Sequence, residues 1–120
     1  MLRKLLIIPI LSMSVYAMNC DDAKSNIEMK QCVTKNYQIL NKKLNYVYNN
    51  LLKELDDTGK KKLEQSQKAW LKFRENQATF SADFARGSLA SGLYYIDEAT
   101  RLTKQRIQDL ESTLSSLENM

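Results

Sequence analysis

The side chains that could perform acid–base or nucleophilic chemistry in this chain are few. The chain contains no histidine, which excludes Ser-His-Asp and Cys-His catalysis as well as histidine-ligated zinc sites. Two acidic pairs, Asp56-Asp57 and Asp97-Glu98, leave carboxylate chemistry of the glycosidase type as the alternative. Glycosidases hold two carboxyl groups about 5–9.5 Å apart across a sugar cleft, whereas adjacent residues on a helix or turn point apart. We therefore predict no catalytic residue and no enzyme, and interpret the first pair as a turn and the second as first-turn charges of a helix.

The N-terminal residues have the features of an export signal. Two basic side chains precede an apolar stretch over residues 5–14, and residues 15–17 place small side chains where signal peptidase requires them. We expect a signal peptide at residues 1–17 and a mature chain of residues 18–120 in the periplasm or outside the cell. The apolar stretch is too short for a comfortable transmembrane helix, and Asn19 is unsuited to lipoprotein processing. The sequence therefore predicts no stable membrane anchor after cleavage.

The two cysteines, Cys20 and Cys32, would first meet an oxidising compartment, so we expect an intramolecular disulfide. Twelve residues of unbroken helix would separate them by about 18 Å, and a disulfide tolerates only about 7 Å between Cα atoms. The segment must therefore reverse direction, with a non-helical start that leads into a helix beginning near Ser25. Glu28 at the third helical position completes a capping-box pattern there. Because the bond uses both thiols, we predict no metal site and no cofactor.

Composition favours one helical domain. Residues 18–120 are sufficient for a single domain, and they contain three glycines and no proline because Pro9 belongs to the signal. Without the two basic residues of the signal, the net charge falls from +4 to about +2. This charge is too low to indicate a nucleic-acid partner.

Apolar residues recur at helical spacing in three long segments. The first covers residues 37–55, the second runs from about residue 60 through Phe80 towards residue 84, and the third covers residues 93–117. Two glycines and two serines make residues 86–92 the most flexible stretch. Short connections make neighbouring helices antiparallel. We therefore predict an all-α fold, a small antiparallel bundle of three long helices with a short disulfide-stapled N-terminal segment.

Several residues occur in an order that is typical of one family. They are Cys20-Asp21-x-Ala23-x-Ser25-x-x-Glu28-Met29-x-x-Cys32, Tyr37, Leu44-Asn45-x-x-Tyr48, Gln67-x-x-Trp70-x-x-Phe73-Arg74 and Thr103-x-x-Arg106-x-x-x-Leu110. Over essentially the whole mature chain this order resembles the LprI-like N-terminal domain, a small exported bacterial module named after a lysozyme inhibitor. The resemblance implies a secreted or periplasmic helical domain with lysozyme inhibition as the named activity. Many members carry a second cysteine pair, and at the corresponding positions this chain has Ala78 and Glu98 instead.

One face of the second helix carries a group of aromatic and polar residues, Gln67, Trp70, Phe73 and Arg74. One interpretation is a recognition patch, because Trp and Arg are favoured at binding hot spots. The other is structural, with Trp70 and Phe73 in the core and Arg74 paired with a carboxylate, for which Glu28 is our candidate. We favour the structural interpretation.

The connection between the second and third helices, residues 86–92, is our candidate partner-binding surface. It places Leu89 between the hydroxyls of Ser88 and Ser91 and next to Arg86, and small hydroxyl side chains could replace the hydrogen bonds of a sugar. The alternative is a plain linker between two helices.

We therefore predict an exported binding protein whose partner is a protein, lysozyme in the first hypothesis, which it would inhibit by occluding the cleft. The alternative is a structural or accessory periplasmic protein with a protein partner and no inhibitory activity. A net charge of about +2 gives no long-range attraction to strongly basic lysozymes, and this weighs against the first hypothesis.

Overall fold

Three long helices make up most of the described chain, residues 19–120 of a computed structural model. The predicted signal peptide lies outside the described residues. The elements are a 3₁₀ turn at Cys20–Asp22, α1 at Asn26–Lys53, α2 at Asp57–Ala82, a second 3₁₀ turn at Asp83–Ala85 and α3 at Ser91–Glu118. The predicted all-α fold with three long helices is confirmed, and residues 19–120 contain no strand.

The third helix lies between the other two. α3 packs along both α1 and α2, whereas α1 and α2 contact each other only sparsely. The Cα atoms of the described residues extend over 59 × 29 × 15 Å, so the bundle is long and shallow. α1 and α2 are therefore joined mainly through α3.

The densest part of the core joins α1 to α3. Leu44, Val47 and Leu51 of α1 pack with Ile107 and Leu110 of α3, and each of these side chains is at most 6% exposed. Burying an aliphatic side chain of this size contributes about 1.5–3 kcal/mol. Half-buried apolar residues from all three helices and from the connection between α1 and α2 surround this group: Leu40, Tyr48, Leu55, Leu63, Trp70, Leu114 and Leu117.

The N-terminal staple has the predicted form. Cys20 and Cys32 are joined by a disulfide with 5.7 Å between their Cα atoms. Ser25 caps α1 by accepting a hydrogen bond from the backbone N–H of Glu28 at 3.1 Å. The Glu28 carboxylate in turn accepts from the backbone N–H of Lys24 at 2.9 Å. The bond to Ser25 satisfies an orphan donor of α1 as a capping box does, whereas the Glu28 carboxylate bonds one residue before the N-cap. The predicted helix start at Ser25 is therefore confirmed, with one of the two bonds of a capping box.

The two acidic pairs differ from our interpretation in their details. Asp56 is the N-cap of α2 and accepts a hydrogen bond from the Gly59 N–H at 2.8 Å, so the connection between α1 and α2 is shorter than the turn we predicted. The assignment of Asp97-Glu98 to a first turn is wrong, because α3 already begins at Ser91.

Within residues 19–120, no helix is long and apolar enough to cross a membrane. The same residues contain no group of three or more acidic or cysteine side chains placed to hold a metal ion.

Candidate functional site

Arg74 joins all three helices through one nitrogen of its guanidinium. Its Nη1 donates to Asn41 Oδ1 of α1 at 2.6 Å and to Thr103 Oγ1 of α3 at 3.0 Å. Thr103 is fully buried and donates its own hydroxyl proton to the Ala99 carbonyl at 2.6 Å. Because α1 and α2 contact each other only sparsely, this bridge is a specific link between them.

The Trp70 ring lies close to two guanidinium groups. The Arg74 guanidinium carbon lies 4.9 Å from the centre of the Trp70 ring, and that of Arg106 lies 5.7 Å from it. Both distances fall within the range of cation–π attraction. Arg74 also lies over the Tyr37 ring, 5.3 Å from its centre. We call this group the arginine–tryptophan cluster, with the members Tyr37, Asn41, Gln67, Trp70, Arg74, Thr103 and Arg106.

Arg106 is held against α2 by neutral side chains. Its Nε donates to Gln67 Oε1 at 2.9 Å, and its Nη2 donates to Ser66 Oγ at 3.1 Å. Burial lowers the pKa of Arg106, while the nearby Asp109 and Tyr48 act in the opposite direction. The guanidinium remains a cation at any physiological pH, so the cluster holds two positive charges.

The helix-connecting end of the molecule, residues 80–94, contains every residue that we predicted for partner binding. We call it the tip. Leu89 is 91% exposed, as expected of a contact residue. Ser88 Oγ donates to the Ala85 carbonyl at 2.7 Å, and Ser91 Oγ donates to the Ser88 carbonyl at 3.0 Å. Arg86 pairs with Asp83 across 3.5 Å on the surface. The expected flexible loop is thus a series of hydrogen-bonded turns, with Gly87 at φ 82°.

Sequence reasoning missed the aromatic residues of the tip. Phe80 and Phe84 are each 74% exposed, and Tyr94 is 44% exposed. The rings of Phe84 and Tyr94 meet edge to face with 4.6 Å between their centres. We had assigned Phe80 to the buried stripe of the second helix, and this is wrong. Near the end of α2 the buried residues are instead Ala78 and Ala82, and Phe80 does not lie on the helix face that they share.

Comparison with known proteins identifies the family of this chain and one related protein. The model of the family described as Lysozyme inhibitor LprI matches residues 18–110. The chain belongs to this family. An uncharacterized protein of Rhizobium meliloti (strain 1021) is 23% identical over 114 residues, an alignment that covers 84% of this chain and 82% of the relative. No solved structure matches the chain.

The residues by which the chain resembles LprI proteins meet mainly in two places. Those near the N-terminus form the disulfide and the cap of α1. Of the later motifs, six residues lie in the arginine–tryptophan cluster, although they come from three different helices: Tyr37, Gln67, Trp70, Arg74, Thr103 and Arg106. Leu44 and Leu110 belong to the core between α1 and α3 instead. The tip contains none of the motif residues that we quoted, so its composition is a property of this chain rather than of the LprI resemblance.

The predicted ion pair between Glu28 and Arg74 is wrong. Glu28 lies in the first turn of α1, where its carboxylate bonds to the backbone of Lys24. Asn41, the residue of α1 that Arg74 does reach, is thirteen positions further along, or about 20 Å at the rise of an α-helix. Neutral acceptors therefore take the place of the expected carboxylate.

The assignment of Phe73 to the core is also wrong, and that of Trp70 needs refinement. Phe73 is 50% exposed, whereas Trp70 is half-buried and packs at the edge of the core. Successive helical residues are turned by about 100°, and the buried direction of α2 is marked by Gln67 and Ala78. Phe73 points about 120° away from that direction, so only the other three residues of the predicted face converge.

A polar contact joins α2 and α3 at the level where many LprI proteins would carry their second disulfide. Ser81 Oγ donates to Glu98 Oε2 at 2.8 Å, and Arg101 Nε donates to Glu98 Oε1 at 2.5 Å. The hydrogen bond from Ser81 is the main reason that the pKa of Glu98 lies below its ordinary value, and Arg101 adds to it while burial opposes it. Ala78 is fully buried near the end of α2.

Proposed function

We propose that this chain is an exported inhibitor of lysozyme, and that its tip enters the sugar-binding cleft of the enzyme. Membership of a family described as a lysozyme inhibitor supports the activity. The pattern of residues 1–17 supports export, with residues 18–120 as the single mature domain. The observation that carries the proposed contact is the exposure of Phe80, Phe84 and Leu89, which amounts to 74%, 74% and 91%.

Exposed apolar side chains gathered at one place are typical of a binding surface. The tip presents such side chains at one end of a body 59 Å long, where a narrow projection can reach into a cleft. The hydroxyls of Ser88 and Ser91 use their protons within the tip and keep oxygen lone pairs for a partner's donors. Apolar rings beside hydroxyl acceptors are the chemistry that a sugar-binding cleft recognises.

The charge of the chain predicts how such a complex would form. With a net charge of about +2, the inhibitor has no electrostatic attraction to a basic lysozyme. Its affinity would then come from apolar burial at the tip, and its association rate would depend weakly on salt. The same charge favours the second candidate function, an accessory periplasmic protein that uses the tip to bind another exported protein without inhibiting an enzyme.

The test is a lysozyme inhibition assay with the purified mature chain and two variants. Phe84→Ser with Leu89→Ser removes apolar side chains that bury little surface in the bundle, so melting should change by less than about 4 °C. We expect inhibition to weaken at least about tenfold, the effect of losing one hot-spot contact. Tyr46→Ser removes a half-exposed aromatic of α1 away from the tip and should leave inhibition unchanged.

Two results would contradict the proposal in different ways. Full inhibition by a folded tip variant would move the contact to a helix face. If the unmodified chain does not inhibit lysozyme at stoichiometric concentration, the inhibitory function itself is wrong. Capture of an exported partner through an intact tip would then establish the accessory function.

A further inference from the structure

All three phenylalanines of the chain lie on the surface along α2 and the turn that follows it. Phe73 is 50% exposed, and Phe80 and Phe84 are each 74% exposed. Phe80 follows Phe73 by seven residues, or two turns, so the two rings lie on the same face of α2, about 11 Å apart along its axis. Phenylalanine is normally a core residue, and a monomeric protein rarely leaves several of them beside one another in water. The exposure of these rings therefore indicates a contact surface.

The spacing of residues on this face is that of a surface where two helices pack together. Ala69, Phe73, Asn76 and Phe80 follow one another at steps of four, three and four residues, which is the spacing of the contact positions in a two-stranded coiled coil. All four residues are exposed and none is charged. Phe84 extends the apolar surface into the following 3₁₀ turn. We call this surface the phenylalanine seam, with the members Ala69, Phe73, Asn76, Phe80 and Phe84.

We propose that the phenylalanine seam pairs two copies of this chain in an antiparallel dimer with two-fold symmetry. In such a dimer each copy covers the seam of the other, with Phe73 of one copy beside Phe80 of the partner subunit. Asn76 is the polar member of the seam, and it then lies near the two-fold axis, where it can meet its own counterpart. An amide side chain both donates and accepts hydrogen bonds, and a single Asn in an apolar seam is typical of specific two-stranded pairing.

The charges beside the seam favour the antiparallel arrangement. Lys72 and Asp83 lie eleven residues apart, or about three turns, so they share one flank of α2 near opposite ends of the seam. Antiparallel pairing places each lysine opposite an aspartate of the other copy, whereas parallel pairing places like charges opposite each other. Asp83 also pairs with Arg86 across 3.5 Å, but its side chain is 56% exposed and remains accessible to a second cation. The midpoint of Lys72 and Asp83 and that of the two seam phenylalanines of α2 both lie within about two residues of Asn76, so one axis suits the charges, the rings and the amide.

The exposed area of the seam is sufficient for a specific but reversible dimer. If a whole phenylalanine side chain has about 200 Å² of surface, the three rings leave about 400 Å² exposed on each copy. Two copies would bury about 800 Å² from the rings alone, and the side chains between and beside the rings add to this area. A total slightly above ~1,000 Å² is the size of weak, reversible interfaces, so we expect a dimer that dissociates at micromolar concentration.

The dimer and the proposed lysozyme contact share two residues. Phe80 and Phe84 belong to both the seam and the tip, so a dimer would cover part of the surface that we propose for inhibition. The consequence that only the monomer inhibits rests on the proposed function, whereas dimerisation itself does not. Phe73 belongs only to the seam and Leu89 only to the tip, so variants of these two residues test the two proposals separately.

Sedimentation velocity of the oxidised mature chain measures the dimer over a concentration range of about 1–500 µM. We expect the weight-average mass to rise from that of a monomer towards that of a dimer. Phe73→Ser with Phe80→Ser should raise the dissociation constant at least about tenfold, because it removes two exposed rings from each copy. Tyr46→Ser is the matched control: it removes a half-exposed aromatic of α1 and should leave the dissociation constant within about twofold. Circular dichroism checks that each variant is folded.

Two charge variants test the antiparallel orientation at low ionic strength. Lys72→Glu would place acids opposite acids at both ends of the interface, and it should raise the dissociation constant about fivefold. Lys72→Glu with Asp83→Lys restores opposite charges in an antiparallel pair, so it should return the dissociation constant to within about twofold of the unmodified chain. In a parallel pair each position faces its own counterpart, so neither variant would relieve the repulsion.

The proposal is overturned if the mature chain remains a monomer at the highest concentration, or if the double phenylalanine variant dimerises as tightly as the unmodified chain. A double charge variant that dimerises no better than Lys72→Glu contradicts the antiparallel arrangement. Lysozyme inhibition is a separate measurement. A chain that dimerises through the seam but does not inhibit lysozyme contradicts the proposed function alone, and Leu89→Ser should weaken inhibition without changing the dissociation constant of the dimer.

Discussion

Replacement of Arg74 by methionine should lower the free energy of unfolding by about 2–4 kcal/mol. Methionine keeps the apolar stem but loses the hydrogen bonds to Asn41 and Thr103 and the contacts with the Trp70 and Tyr37 rings. Hydrogen bonds from a charged donor contribute about 1.5–3 kcal/mol each, and cation–π contacts about 0.5–1 kcal/mol at exposed sites. Because the side chain is half-exposed, water replaces part of this loss.

The hydrogen bond from Thr103 to Ala99 limits how far Arg74→Met can lower the free energy of unfolding. Its buried hydroxyl keeps the hydrogen bond to the Ala99 carbonyl when Arg74 is gone, so no buried donor is left without an acceptor. Asn41 is half-buried and can bond to water instead. The cost is therefore that of the lost bonds and ring contacts, without a further desolvation penalty.

Urea unfolding followed by circular dichroism at 222 nm measures this change, and a double-mutant cycle with Thr103→Val isolates one bond. We expect a coupling energy of about 1 kcal/mol or more between the two positions. Arg101→Met is the matched control, since its side chain is 61% exposed and its ion pair should contribute less than about 1 kcal/mol. An Arg74→Met variant as stable as the unmodified chain, or a coupling energy of zero, would refute the role of Arg74 as the link between helices.

Three further predictions concern other parts of the fold. Replacing Cys20 and Cys32 by serine should lower stability by about 3 kcal/mol, because the disulfide closes a short loop in the unfolded chain, and thiol titration should find no free thiol before the change. The pKa of Glu98 in the folded chain lies below its ordinary value, so its carboxylate stabilises the fold at pH values above the ordinary pKa. This contribution is lost as the pH falls through the folded pKa. Between pH 7 and pH 3, urea titrations should therefore show a smaller loss of stability for Glu98→Gln than for the unmodified chain. Gly87→Ala should lower the free energy of unfolding by about 1 kcal/mol because φ is 82° at Gly87, although there is space for a Cβ atom. Gly92→Ala is the control: Gly92 lies in the first turn of α3, and a Cβ atom there would meet only the flexible end of a lysine. This variant should leave the melting temperature nearly unchanged or raise it.

Local features of the fold could be predicted from the sequence because their causes are local. The helix start at Ser25 and Glu28 depends on three residues and one turn of backbone. The reversal between Cys20 and Cys32 follows from the reach of a disulfide alone. The apolar periods predicted all three helices. α2 and α3 begin at Asp57 and Ser91, within about three residues of the predicted starts, whereas α1 begins at Asn26, well before the apolar period that starts at residue 37.

The contacts between helices could not be predicted in the same way. Helical period shows which residues share a face, but it does not show which face of the next helix they meet. Gln67, Trp70 and Arg74 were predicted on one face, yet their partners on α1 and α3 depend on the register between the helices. Glu28 was chosen as a partner for its charge, and the register instead offers Asn41.

The tip shows a second reason why parts of the structure could not be predicted from the sequence. Phe80 fits an apolar stripe by type, and only the burial of Ala78 and Ala82 reveals that the stripe turns away from it. The hydroxyls at the tip were predicted to face a partner, but the backbone carbonyls of Ala85 and Ser88 compete for the same protons. In these short turns the serine hydroxyls donate to nearby backbone carbonyls, so their protons do not face a ligand.

The central position of α3 determines when this protein can fold. Its chain order is α1, α2, α3, yet the surfaces of α1 and α2 are completed by the helix that is synthesised last. A hairpin of α1 and α2 has few contacts of its own, so it cannot form a stable intermediate before α3 is available to pack against it. The first two helices remain unfolded and open to proteases until α3 arrives, and a chain that stops at residue 90 has no core to form.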